Sequence, residues 1–173
     1  MKKFLKAALI SALALISFIG FNATNVKADQ NPRIFVHTLQ QAPLYSQSGL
    51  AGYDKGMPYF NFNVLDKELP QYSDWLTGST LSGSNTSYTE VGDNEFVDNK
   101  DVALVNQYGS SNIQTMNTTT PKAIYSLDSK TYGIKNTGKV LDSGAWLCSS
   151  HVRYPNGDVY YQVATNEWIN INA

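Results

Sequence analysis

The residues with the clearest capacity for chemistry in this sequence are one cysteine and two histidines. Cys148 and His151 lie three positions apart, a spacing that suggests a thiol hydrolase. In such an enzyme an imidazole base must sit against the thiol, and neighbours three apart at a strand end usually diverge. One cysteine with His37 and His151 also falls short of the usual zinc ligand set. We therefore expect no thiol enzyme and no zinc site.

The acidic residues are the second group with possible chemistry. Asp66, Glu68 and the segment 90–101 carry several carboxylates, but without the spacing of a calcium-binding loop. The chain also lacks a glycine-rich loop of the kind that holds phosphate. These carboxylates suit a solvated surface better than a metal site. The sequence predicts a protein that is not an enzyme and that has no cofactor.

The element that organises these residues is an internal duplication. Three blocks recur in the same order: residues 42–46 resemble 122–126, residues 73–79 resemble 144–150, and residues 88–97 resemble 160–169. The spacing between the last two blocks is also nearly equal in the two copies. Because chance similarity rarely preserves both order and spacing, we infer a repeated module.

Within each copy, short runs of aromatic and β-branched residues alternate with turn residues. The clearest hairpin is 152–163, in which Asn156-Gly157 supplies the tight turn. No stretch after residue 28 has the 3.6-residue period of a helix. The sequence predicts an all-β chain of two small tandem SH3-like barrels or sandwiches, each of about five short strands.

The predicted boundaries follow the repeat. The first module covers 29–106 with an insertion near 59–70, a polar linker covers 107–120, and the second module covers 121–173. Part of the linker is also a candidate for the first strand of the second copy, because residues 34–36 hold the equivalent place in the first. Aromatic side chains are expected to fill the two cores because they bury the most area per residue; these are Trp75, Trp146 and the pair Phe96 and Trp168. Asn94 and Asn166 are expected in turns with left-handed backbone.

The N-terminal segment 1–28 has the layout of a secretory signal peptide. Lys2, Lys3 and Lys6 precede an apolar run at 7–21, and Val26-Lys27-Ala28 forms a cleavage site. The run is shorter than the roughly 18 residues needed to span a bilayer. We expect cleavage after Ala28, export to the cell wall, cell surface or medium, and no stable membrane insertion afterwards.

Processing also changes the electrostatics of the chain. It removes four of the 13 Lys+Arg and none of the 14 Asp+Glu, so the net charge becomes 9 − 14 = −5. Such a chain has no general attraction to nucleic acid or to an anionic membrane.

The second copy resembles a known family. The run 160–169, YYQVATNEWI, preceded by AIYS at 123–126, is similar to the C-terminal repeat of surface-layer proteins of lactic-acid bacteria, the SLAP domain. The resemblance is close over the second copy and looser over the first. It implies tandem repeats behind a signal peptide that attach non-covalently to the cell wall through teichoic acid or a neutral wall polysaccharide.

Two departures from the family modify that expectation. Family members are strongly basic, whereas residues 34–106 here have three Lys against nine Asp+Glu and residues 121–173 have five Lys+Arg against four. No large lattice-forming domain precedes the repeats, which favours a small accessory surface protein over a main lattice subunit.

The charge balance places the expected wall-polymer contacts in the second copy. The cations expected to bind phosphate are Lys122, Lys130, Lys135, Lys139 and Arg153, and the exposed rings expected to stack on sugars are Tyr132, Tyr154 and Tyr161. The alternative is a surface adhesin or a module that binds S-layer proteins, with the repeats serving only as scaffold.

Overall fold

Antiparallel strands make up the regular structure of the protein in the computed structural model, which describes residues 33–109 and 112–172. These residues contain no helix, so none of them forms a helix that could cross a membrane. The predicted all-β fold class is confirmed. The predicted signal peptide lies outside the described residues.

Fifteen strands occupy the described ranges. The first eight are β1 (Arg33–Thr38), β2 (Ala42–Asp54), β3 (Met57–Leu69), β4 (Asp74–Leu76), β5 (Thr80–Ser82), β6 (Ser87–Gly92), β7 (Glu95–Asp98) and β8 (Val102–Gln107). The other seven are β9 (Gln114–Thr118), β10 (Lys122–Leu127), β11 (Ile134–Leu141), β12 (Gly144–Cys148), β13 (Ser150–Arg153), β14 (Val159–Ala164) and β15 (Glu167–Asn170).

The strands of the two repeats pair in the same way. Each ladder of the first repeat has a counterpart in the second: β1–β4 matches β9–β12, β2–β3 matches β10–β11, β2–β7 matches β10–β15, β5–β6 matches β13–β14, and β6–β7 matches β14–β15. The registers also correspond: Tyr45 opposes Phe96 as Tyr125 opposes Trp168. We use "first copy" for β1–β8 and "second copy" for β9–β15.

The turn before β7 in the first copy matches the turn before β15 in the second. Asn94 (φ 53°) and Asn166 (φ 51°) both adopt the left-handed backbone expected of asparagine in a turn. The Oδ1 of Asn94 accepts a hydrogen bond from the Gln47 backbone N–H at 3.0 Å, and that of Asn166 accepts one from the Leu127 N–H at 2.8 Å. Each asparagine therefore joins its turn to the strand that pairs with it.

The extra residues of the first copy lie at the end of its first hairpin. The registers align 62–69 with 134–141, so the segment 48–61 replaces the shorter segment 128–133. The insertion expected near 59–70 is therefore wrongly placed, because most of that range matches β11 residue for residue. The added segment extends β2 and β3 into a ribbon that turns at Lys55-Gly56, where both residues have positive φ (49° and 83°).

One strand connects the two copies. β8 pairs on one side with β1 and on the other with β13, which gives an eight-stranded sheet in the order β11-β10-β15-β14-β13-β8-β1-β4. The predicted polar linker at 107–120 also contains strand β9, which pairs with β12. The two copies therefore share a sheet and are not joined by an unstructured connection.

The core at this junction contains residues of both copies. Phe35, Ala103 and Val105 from the first copy are buried with Leu127, Val152, Tyr160 and Trp168 from the second. Phe96 and Trp168 are buried as predicted, whereas Trp75 is 36% exposed on the edge strand β4 and Trp146 is half-buried. The expectation that Trp75 fills a core is wrong, because β4 is an edge strand. Trp146 packs against the buried cluster of Ile124, Leu141 and Ile169 in the second copy.

Candidate functional site

The five cations of the second copy have different surroundings. Lys139 Nζ lies 3.3 Å from Glu167 Oε1, and Lys67 with Glu95 forms the equivalent ion pair in the acidic first copy. Since both copies have this pair, it is a feature of the scaffold. Lys139 is therefore a weaker candidate for polymer binding than the sequence indicated.

Two of the remaining cations lie in or next to the turn between β10 and β11. Lys130 is in the turn and Lys135 is the second residue of β11, and both are exposed. The Asp128 carboxylate accepts N–H groups of Thr131 and Lys130, and these hydrogen bonds, with the Thr131 hydroxyl and the nearby Lys130 charge, lower the pKa of Asp128. Lys135 replaces Asn63, the residue at the same register of the first copy.

The other two cations lie on different strands. Lys122 begins β10 and is half-buried, while Arg153 ends β13 and is exposed. The positive charge of Arg153 adds to burial in lowering the pKa of His151. The five predicted cations are therefore spread over β10, the turn after it, β11 and β13.

The three tyrosines predicted as exposed stacking rings are half-buried. The Tyr132 ring stacks on His37 with centroids 4.1 Å apart, and the Tyr154 hydroxyl donates to the Tyr132 carbonyl. Burial raises the pKa of both phenols well above its usual value. Tyr161 packs against the second-copy core and beside the His151 ring. The prediction of three exposed sugar-stacking rings is wrong, since these rings pack within the protein.

The cysteine and histidine that suggested thiol chemistry have other partners. The Cys148 thiol is buried and donates to the Trp146 carbonyl at 3.8 Å, and burial raises its pKa. His151 Nδ1 is hydrogen-bonded to the Tyr108 hydroxyl at 2.6 Å. A nucleophilic thiol needs a lowered pKa and an adjacent base. Across 33–109 and 112–172, no three His, Cys, Asp or Glu residues group as metal ligands.

A groove of about 470 Å³ lies at the junction of the two copies. Gln107 at the end of β8 contributes one side, and Ser129 of the β10–β11 segment contributes another. Gln162 and Asn166 provide amide groups, and Trp168 also lines the groove. We name this the junction groove. Its volume is typical of a site for a small ligand or one unit of a polymer.

Trp168 gives the junction groove a feature that the first copy lacks. The residue is 6% exposed, and its indole N–H has no hydrogen-bond partner among the described residues. Buried donors are nearly always paired, so an unpaired one is a candidate ligand contact. His37 Nε2 and Asn106 Oδ1 are also buried without a partner among the described residues, and the Trp168 N–H is itself buried, so a ligand in the groove reaches it only after a local shift. Phe96 occupies the equivalent position and has no N–H. Sequence reasoning assigned both rings to the core; the difference between the copies at this position was the signal it missed.

Comparisons with known proteins do not assign the chain to a family. No protein-family model matches it, and no curated protein is significantly similar to it. The candidate site therefore rests on the residues of the junction groove and the cations beside it.

Proposed function

We propose that this protein is an exported, non-catalytic surface protein that attaches non-covalently to a phosphate-bearing cell-wall polymer such as teichoic acid. The observation that carries the proposal is the junction groove, which is lined by Trp168, with its unpaired indole N–H, and by Ser129, the residue before the exposed Lys130. Lys135 follows on β11. The SLAP-like sequence of the second copy supports the same function, with each copy an SH3-like module.

The groove has the hydrogen-bonding groups that a sugar-phosphate unit requires. The Gln107 amide can donate and accept, which suits hydroxyl groups, whereas the Trp168 indole only donates. The Gln162 Oε1 already accepts from the Ser149 and Ser150 hydroxyls, so this amide faces a ligand as a donor. A donor without a partner favours a phosphate or hydroxyl oxygen. A hydrogen bond from the Trp168 N–H to the ligand would contribute more binding free energy than an ordinary surface hydrogen bond, because the buried N–H otherwise has no acceptor.

The flanking cations supply the electrostatic part of the interaction. Ser129 lines the groove and Lys130 follows it directly, so the polymer can contact cations and amides together. Exposed charges act over about 8 Å at physiological ionic strength, and added salt screens them. Attachment through Lys130 and Lys135 is therefore expected to weaken as salt rises. The first copy, with three Lys against nine Asp+Glu over 34–106, contributes no such attraction.

Sedimentation with purified cell-wall sacculi tests the proposal. The protein is produced without residues 1–28, which retains every described residue. We expect it to bind sacculi at low salt, to lose binding when teichoic acid is extracted, and to bind less at high salt. Replacing Lys130 and Lys135 together with glutamate should weaken binding at least tenfold.

The matched control changes Lys55 and Lys100 of the first copy to glutamate, which alters the net charge equally and should leave binding unchanged. A Trp168→Phe variant removes the unpaired donor while keeping the ring that the first copy uses, so it should fold and bind more weakly. Binding that survives both extraction and salt would show that a phosphate polymer is not the ligand.

The second candidate function is attachment to a surface protein, as an adhesin or a partner of an S-layer protein. Strand β4 at the edge of the eight-stranded sheet favours it, with Leu76 72% exposed beside Trp75. Exposed apolar edge strands are common sites for pairing with another chain. Loss of binding after protease treatment of the sacculi, with no effect of polymer extraction, would favour this function.

A further inference from the structure

The inserted end of the first hairpin forms a groove that the second copy does not have. Residues of the segment 48–61 lie over the turn between β5 and β6 and enclose about 610 Å³. Tyr53, Met57 and Tyr59 line the hairpin side, while Ser82 and Ser84 line the turn side. We name this the hairpin groove.

Besides the inserted segment, one position of the β5–β6 turn keeps this space open in the first copy. Gly83 follows β5 where Tyr154 follows β13 at the same register. In the second copy the Tyr154 side chain reaches across and donates its hydroxyl to the Tyr132 carbonyl. In the first copy a Cβ at Gly83 would lie 2.7 Å from the Tyr88 ring, so no larger side chain fits without rearrangement. Glycine therefore leaves the first-copy groove unfilled.

The aromatic side of the groove is held in place by the hairpin backbone. The Tyr59 ring lies directly over Gly52, where an added Cβ would be 2.8 Å from the phenolic oxygen. Gly52 and Tyr59 lie opposite each other in the β2–β3 ladder, so the Tyr59 ring packs across the ribbon onto Gly52. Tyr53 is 67% exposed and Met57 66% exposed. The groove thus offers one fixed ring and one accessible ring.

We propose that the hairpin groove binds an uncharged saccharide. Tyrosine rings give a flat apolar surface with a polar edge, which matches the C–H face and hydroxyl rim of a pyranose ring. The serine hydroxyls opposite them can each donate and accept a hydrogen bond. Of the described residues that line the groove, Asp54 alone is charged, and the surrounding first copy is acidic. A phosphate-bearing ligand is therefore repelled, and a neutral sugar is not.

This site differs in place and in ligand charge from the junction groove, so it does not rest on the function proposed above. Together the two grooves give the protein one contact for an uncharged glycan and another for a polyanion. A peptide is the competing occupant, because β3 and β5 are the two edges of the five-stranded sheet and an extended chain can pair with a sheet edge. The tyrosine rings and the hydroxyl-rich wall favour the saccharide, and an uncharged peptide probe separates the two.

Saturation-transfer NMR and calorimetry test the proposal on the protein without residues 1–28. Two uncharged probes are titrated, an N-acetylglucosamine tetramer and a maltose-type glucose tetramer, beside a glycerol phosphate oligomer and an uncharged pentapeptide. We expect saturable binding of at least one saccharide, with a dissociation constant on the order of 1 mM or lower. Saturable binding of the pentapeptide or the phosphate oligomer alone, or of no probe, overturns the proposal.

Variants locate the binding. Tyr53→Ala should weaken saccharide binding at least tenfold while leaving the thermal unfolding midpoint unchanged, because the ring is mostly exposed. Leu50→Ala, in the same ribbon but outside the groove, is the control and should bind normally. The variant with Lys130 and Lys135 changed to glutamate should also bind the saccharide normally. Equal binding by the Tyr53→Ala and Leu50→Ala proteins would show that the saccharide does not occupy this groove.

Discussion

Replacing Asn166 with alanine should lower the free energy of unfolding by about 2 kcal/mol. Asn166 has φ 51°, and a left-handed backbone costs most other residues roughly 1–2 kcal/mol. Its Oδ1 also accepts the Leu127 N–H at 2.8 Å in a partly buried position, and loss of such a bond costs about 1 kcal/mol. Asparagine tolerates the conformation better than alanine, so the two contributions add to about 2 kcal/mol.

Three companion variants separate these contributions. Asn166→Gly keeps the left-handed backbone and loses only the hydrogen bond, so it should cost about 1 kcal/mol. Asn166→Asp keeps an acceptor and should remain close to the wild type. In the first copy, the Asn94 bond to Gln47 is exposed. Because water can replace that acceptor, Asn94→Ala should cost less than Asn166→Ala.

Urea denaturation followed by tryptophan fluorescence gives the required free energies. With a slope of about 2 kcal/mol per molar urea, a loss of about 2 kcal/mol lowers the unfolding midpoint by about 1 M. The expected order of midpoints is wild type, Asn166→Gly, then Asn166→Ala. Identical midpoints for the glycine and alanine variants would refute the role of backbone strain, and a wild-type midpoint for both would refute the role of the hydrogen bond as well.

Three further predictions concern single side chains. Burial lowers the pKa of His151, so the folded protein favours the neutral form of this side chain. The contribution of His151 to stability should be full above its unfolded-state pKa of about 6.5 and should decrease as the pH falls below that value. Thermal denaturation from pH 8 to 5 measures this loss of stability, and His151→Gln should reduce it. The buried Cys148 thiol should react with a thiol reagent only as fast as the protein unfolds, whereas cysteine placed at Leu147, which is 64% exposed, should react at once in a Cys148→Ala background. Lys139→Ala and Lys67→Ala should each lower the free energy of unfolding by less than about 1 kcal/mol, because both lysines are exposed. A larger loss for Lys139→Ala alone, measured by calorimetry, would mean that the Lys139–Glu167 and Lys67–Glu95 ion pairs are not equivalent.

Local features of the fold were predictable from the sequence. Strand type follows from alternating apolar residues, and the all-β class depends only on that local pattern. The left-handed turns at Asn94 and Asn166 were predictable because asparagine adopts this backbone readily. The two copies also align residue by residue in their ladders, since the same blocks impose the same registers.

Features that depend on contacts between the copies were not predictable. Tyr132 sits in a polar segment that indicates exposure, yet its ring stacks on His37, which is 95 positions earlier in the chain. The site of the insertion was misjudged because β3 and β11 share a register but little sequence. The junction groove was not predicted because Gln107 and Trp168 come together only when β8 pairs with the second copy.

The position of β8 explains how two similar copies can carry different sites. β8 covers the outer edge of β13, whereas β5, the equivalent strand of the first copy, ends its sheet without a further strand among the described residues. The junction groove is lined partly by β8, so it forms only beside the second copy. The first copy, free of that neighbour, instead has a longer hairpin whose groove opens over the β5–β6 turn. The two copies therefore share one scaffold and differ in two places: β8 beside the second copy, which lines the junction groove, and the inserted segment 48–61 in the first, which forms the hairpin groove.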